Sequence, residues 1–118
     1  MTHININVMI NANRKGKEYE RKIARYINKT LGTNLRRTPM SGGMDFKGDI
    51  LEINPDSPIY PYHIECKNQQ NIAIPKWWSQ CTSDCPTGKD PILIFNMKGR
   101  DMVIMDLNLF LGLNMEDK

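Results

Sequence analysis

Within "YPYHIECKNQQ", residues 60 to 70, charged side chains fall inside what otherwise reads as a buried strand. Side chains alternate along a strand, so His63, Glu65 and Lys67 share one face while Ile64 and Cys66 share the other, which makes Cys66 a core residue. Upstream, "DILEI" reads as a strand and "NPDSP" as a turn, so these segments form a hairpin. Folding it about residues 55 to 58 sets Asp49 opposite a residue near Ile64 or Glu65. Two carboxylates side by side repel, and one takes a proton unless a cation lies between them. A hard divalent ion such as Mg²⁺ prefers oxygen ligands and commonly uses one or two carboxylates, leaving other positions to water and substrate phosphates. That points to phosphodiester chemistry. The ion would polarise the phosphate and lower the pKa of a bound water, and Lys67 would orient that water or stabilise the charge growing on phosphorus. A Glu-x-Lys alone is a weak signal, and reads more readily as an exposed face of an edge strand. Its weight here comes from combination with Asp49, with Glu20 and with a basic first third of the chain.

The elements that must hold these residues follow from periodicity. Tyr19, Ile23, Tyr26, Ile27 and Leu31 recur at helical spacing between Lys17 and Leu31, and Gly32 follows as a stop signal. Glu20 shares the inward stripe of Ile23, Ala24 and Ile27, whereas Glu18 sides with Lys22 and Arg25. A carboxylate so placed requires a cation or donor unless it reaches water at the edge of the stripe. Residues 4 to 10, "ININVMI", alternate with a period of two and suggest a short strand or an extended arm. Leu35 to Thr38 suggest another short strand, and "PMSGG" a loop. In that loop Ser41 either hydrogen-bonds a phosphate or belongs to a simple turn. Asp45 competes with Asp49 as the first acid, but hairpin spacing places it near Asn68, past the Glu-x-Lys, and favours Asp49.

Pro61 fits only near the start or edge of its strand. Pro75 opens a helix through "KWWSQC". "ILIF" reads as a central strand, "NMKGRD" as a turn, "MVIM" as a strand and "DLNLFLGL" as a short closing helix. Helix, three strands, helix and two strands describe an α/β protein with a mixed central sheet flanked by helices. On the second helix Trp77 and Trp78 diverge by about 100°, so one packs in the core while the other is partly exposed, stacks on a base or covers a partner subunit. Gln80 could reach the site from that helix.

The 118 residues suit a single domain, 1–118, with residues 1–13 as the arm or strand. A hydrophobic fraction of 40% and a charged fraction of 25% exclude a disordered or fibrous chain. The formal charge of +3 is segregated: residues 1 to 40 carry nine Lys/Arg against two acids, and residues 41 to 118 carry seven against eleven. A basic part beside an acidic part suits a protein that grips a polyanion and holds metal ions, although a solvated helix face reads similarly. Apolar runs are too short or interrupted to span a bilayer, and "MTHININVMINAN" lacks the marks of a secretory leader. A soluble, cytoplasmic protein with no membrane partner is expected. Three cysteines argue for reduced thiols, and Cys81 with Cys85 has no second pair to complete a zinc set.

"RKGKEYER", "RRTPMSGG", "KGDI" and "IECK" stand in the order and spacing of the PD-(D/E)XK nuclease superfamily, and most closely resemble its archaeal and phage Holliday-junction resolvases. The resemblance covers roughly residues 14 to 80 and departs from the pattern at Gly48, where the superfamily has Pro. It implies a restriction-endonuclease-like αβββαβ core, an intracellular phage or prokaryotic protein, and a homodimer that cuts two strands of branched DNA, such as a four-way junction. By position, Glu20 matches the first-helix glutamate that supports a second metal or its water. Asp49 and Glu65 match the metal carboxylates, with the Cys66 carbonyl aiding them, and Lys67 matches the catalytic lysine. Ser41 matches an active-site loop serine. Arg14, Lys15 and Arg37 match basic residues that touch the DNA backbone, and Lys17 and Arg36 extend that surface. Mg²⁺ is the implied cofactor, with Mn²⁺ as a substitute. The alternatives are a general or nicking endonuclease, an enzyme acting on RNA, and a non-catalytic DNA-binding module.

Overall fold

Helix α1 runs from Ile6 to Leu31 in the computed structural model, which describes the backbone of residues 6–38 and 49–113 and side chains from residue 14 onward. The helix anticipated from Lys17 is present, but its apolar stripe is only partly buried: Tyr19, Ile23 and Ala24 are buried and Ile27 partly so, whereas Tyr26 and Leu31 are exposed beside Glu18, Lys22 and Arg25. The strand or arm expected at residues 4 to 10 is corrected, because the chain is helical from Ile6. Ile6 and Ile10 are four apart as well as in alternation, and seven residues do not separate a period of two from one of 3.6. Gly16 lies well inside this helix. A glycine there costs about 1 kcal/mol relative to alanine, and a Cβ built on it would meet no described atom within 4 Å, so no packing contact among the described residues calls for it.

Gly32, at φ +69°, ends α1 and donates its N–H to the Asn28 carbonyl at 2.8 Å. The Asn28 side chain fastens the following turn. Its Oδ1 accepts from Leu35 N at 2.7 Å and from the Thr33 hydroxyl at 2.8 Å, and its Nδ2 donates to the Leu35 carbonyl at 2.9 Å. Strand β1, Arg36–Arg37, starts directly after this clamp.

Four strands follow: β2 (Ile50–Leu51), β3 (Tyr62–Lys67), β4 (Asp90–Met97) and β5 (Arg100–Ile104). The sheet order is β1-β2-β3-β4-β5. β3 and β4 are parallel and every other pair is antiparallel, so the sheet is mixed, as expected. Parallel neighbours need a crossover, which helix α2 (Ile74–Asp84) supplies, with Pro75 in its first turn. A two-residue turn at Lys98 and Gly99, both at positive φ, joins β4 to β5. Helix α3, Leu107–Phe110, closes the described chain. None of the described helices is long and apolar enough to cross a membrane.

The sheet is covered on both faces. Ile50, Ile64, Cys66, Ile92 and Ile94 pack with Tyr19, Ile23 and Ala24 of α1. Leu93 and Phe95 pack with Trp77 and Cys81 of α2. "ILIF" is continuously apolar because β4 is buried on both sides. The expected αβββαβ core is present, with β5 added at an edge.

Neighbouring residues of α1 reach opposite edges of the sheet. The Tyr19 hydroxyl donates to Asp101 Oδ1 on β5 at 2.9 Å, while Glu20 accepts from Arg37 on β1 at 2.6 Å. Asp101 also accepts from Asn96 Nδ2 at 3.0 Å and lies 3.4 Å from Lys22 Nζ. One turn of α1 is thereby tied across the sheet, which fixes where Glu20 stands.

Glu52, just past β2, is buried and accepts from Asn34 N at 3.0 Å and from Asn54 N at 3.1 Å. The Asn54 N–H first, and then that of Asn34, hold its carboxyl below the ordinary value against the opposing effect of burial. A depressed carboxyl contributes stability that is present above its unfolded pKa and lost as pH falls through the folded one. Glu52→Ala is expected to cost about 1–3 kcal/mol at pH 7 by orphaning those donors, and less at pH 3. Urea midpoints at the two pH values check this.

Candidate active site

The hairpin register brings the two acids together. Ile50 pairs with Ile64, so one step back Asp49 faces Glu65, and the Asp49 N–H donates to the Ile64 carbonyl at 3.0 Å. Asp49 Oδ2 accepts the Cys66 N–H at 2.6 Å. Burial above all, then the Glu65 carboxylate, pushes the Asp49 carboxyl from an ordinary 3.8 up to about 7, with Glu20 adding to the effect and the Cys66 N–H opposing it. The pair thus shows the repulsion that two adjacent carboxylates must, and a cation would relieve it.

Glu65 is nearly sealed from water, and His63 Nε2 lies 3.3 Å from its Oε1 without a hydrogen bond of good geometry. Cys66 faces the other way into the α1 core, where burial pushes its thiol well above the ordinary value. Only its backbone can serve the site. Glu20 has the cation its position required: Arg37 Nε donates to its Oε2 at 2.6 Å, with both side chains mostly out of water.

Asp49, Glu20, Arg37 and Cys66 meet at a cleft of about 570 Å³, whereas Glu65 and His63 do not line it. Asp49, Glu20, Arg37 and Cys66 form its floor, Lys67 stands at the end of β3, and Lys15, Gly16 and Lys17 of α1 form one wall. Asn68, Gln69 and Gln70, directly after β3, supply the rest of the described lining. Acidic groups at the base and cationic groups around them suit a phosphodiester with a metal ion beneath it.

Most of the other residues singled out in the sequence lie away from the cleft. Arg14 is exposed and does not line the cleft. Arg36 is exposed and lines a neighbouring groove with Asn34 and Asn54. Arg37 lines the cleft but commits its Nε to Glu20. Ser41 and Asp45 fall outside the described residues. Trp77 is buried with its ring 6.0 Å from Phe95, and Trp78 packs half-buried against the same cluster. Gln80 is exposed on α2, away from the cleft lining. The Cys81 thiol is buried and donates to the Ile92 carbonyl at 3.5 Å.

Sequence reasoning gave no role to His63, Gly16 or the amides at positions 68 to 70. The available signals were a histidine two residues before an acid on a buried strand, a glycine within a helical pattern, and a polar run directly after Lys67.

Among the described residues, no three His, Cys, Asp or Glu side chains stand together as a metal site. Asp49 and Glu65 form a two-carboxylate set, the number a magnesium-type ion commonly uses. The burial and like charge that raise the Asp49 carboxyl are what such an ion would offset, so the residues fit a divalent cation.

A family model described as "Phage putative PDDEXK endonuclease" matches residues 11–118. No curated protein and no solved structure matches the chain.

Proposed function

The chain belongs to the phage PDDEXK endonuclease family, and from that premise we propose that it is a Mg²⁺-dependent endonuclease that hydrolyses phosphodiester bonds in DNA. Nucleases of the PD-(D/E)XK superfamily generally use divalent metals. The observation that carries the reading is Asp49, set opposite the buried Glu65 by the strand register and raised by that like charge, on the floor of a cleft lined by Lys15, Lys17 and Lys67.

Asp49 and Glu65 hold the cation, with the Cys66 carbonyl as a backbone ligand. When bound, the ion offsets charge on the scissile phosphate and lowers the pKa of a water, as divalent ions do in such sites. Lys67 orients the attacking water and meets the charge that grows on the phosphoryl oxygens. Glu20, steadied by Arg37, positions a second ion or its water shell. Lys15 and Lys17 neutralise flanking phosphates, so affinity falls steeply with salt.

The leading substrate class is branched DNA, cut by a homodimer of single-domain subunits acting inside the cell. A general or nicking endonuclease is the second reading, because the same site would serve it. A labelled four-way junction and the matching duplex, each with Mg²⁺ and with chelator, separate them on a denaturing gel. Paired symmetric cuts in the junction alone are expected. Metal-dependent cutting of both substrates would replace the resolvase with a general or nicking enzyme, and no metal-dependent cutting of either would overturn the nuclease reading.

A further inference from the structure

Gly16 weakens α1 without serving any contact among the described residues, since a Cβ there would meet none of their atoms within 4 Å. It is also a lining residue of the cleft, between Lys15 and Lys17, which line it too. Glycine is favoured where a ligand must come close to a backbone. Resting on the nuclease reading of the cleft, we propose that the sugar-phosphate backbone of the bound strand crosses α1 at Gly16, seated against the bare helix between the two lysines. The Asn68–Gln70 segment confines the strand in the cleft. A side chain at position 16 would hold the strand off and displace the scissile phosphate from Asp49 and Lys67.

The proposal predicts effects of opposite sign. Gly16→Ala raises the melting temperature, because alanine favours the helix. The same substitution weakens DNA binding, measured by fluorescence anisotropy in chelator, on the order of tenfold. It also slows single-turnover cleavage. Gly16→Gln, larger and also helix-favouring, weakens binding further. No charge is removed, so the slope of log affinity against log salt stays as in the wild type, whereas Lys15→Ala lowers that slope by about one.

Wild-type binding and cutting by Gly16→Ala would overturn the proposal while leaving the nuclease reading intact. A lower melting temperature with unchanged binding would also overturn it, since the glycine would then serve the fold. If the wild type binds DNA without metal-dependent cutting and Gly16→Ala still weakens that binding, the nuclease reading fails and the crossing point stands.

Discussion

Asp49→Asn is expected to abolish DNA cleavage while making the metal-free protein more stable. The Asp49 carboxyl, ordinarily at 3.8, is pushed up to about 7 in the fold, first by burial and then by Glu65. Between those values the native state holds a proton that the unfolded chain has released. Stability therefore falls as pH rises through this window, and the full loss is reached above about 7. The amide carries no charge, so Asp49→Asn removes that slope. At pH 8 in chelator its melting temperature should exceed the wild type's by about 5 °C, the shift that roughly 1 kcal/mol makes in a chain of this size. Divalent ion should raise the wild-type melting temperature and leave the variant unmoved. Cleavage should fall on the order of 10³-fold or more, the scale of losing a principal electrostatic stabiliser, while binding in chelator is kept because Lys15 and Lys17 are untouched. Thermal melts across pH, run beside cleavage assays, check both halves. A variant that is less stable in chelator, or that still cuts, contradicts the assignment.

Lys67→Ala has the second large expected effect. The side chain lines the cleft from the end of β3, where its backbone is held beside Phe95 in the parallel ladder. Its removal should lower the single-turnover rate by about 10²–10⁴-fold, the range found for a positioned group acting on the reacting atoms. Substrate affinity should change only a few-fold. The half-saturating metal concentration should stay the same or fall, because a positive charge has been removed from beside the cation. Lys67→Arg should not restore the rate, since a planar guanidinium does not replace a compact ammonium. A loss confined to substrate affinity, with the saturated rate unchanged, would reduce Lys67 to a phosphate contact.

How much of this was legible in the sequence depends on the range of the interactions. Alternation in "HIECK" separated Glu65 from Cys66 correctly, because a strand's period is set by local geometry. The turn at residues 55 to 58 brought Asp49 to Glu65, because hairpin register follows from chain length. The stripe on α1 showed that Glu20 needed a cation or donor unless it reached water. The cation's identity as Arg37, 17 residues on, depended on how α1 crosses the sheet. The strand order was likewise a tertiary matter, settled by how α2 returns the chain to the sheet beside β3. The extension of α1 to Ile6 was missed because its alternating isoleucines also fit a helix. His63 was unassigned because a histidine facing inward is an ordinary core residue until its neighbour is known to be Glu65. Gly16 had no role in the sequence, and only the helix running through it shows that its cost is unrecovered among the described residues.

The central claim is that Asp49 and Glu65 together hold a divalent ion on which DNA cutting depends. The most direct test titrates Mn²⁺ into the wild type and into Glu65→Gln by calorimetry, while following cleavage of a labelled DNA over the same metal range. Binding and cutting should rise together in the wild type, and both should be lost in Glu65→Gln. Undiminished metal binding and cutting in that variant, or wild-type cutting that persists in chelator, would contradict the account.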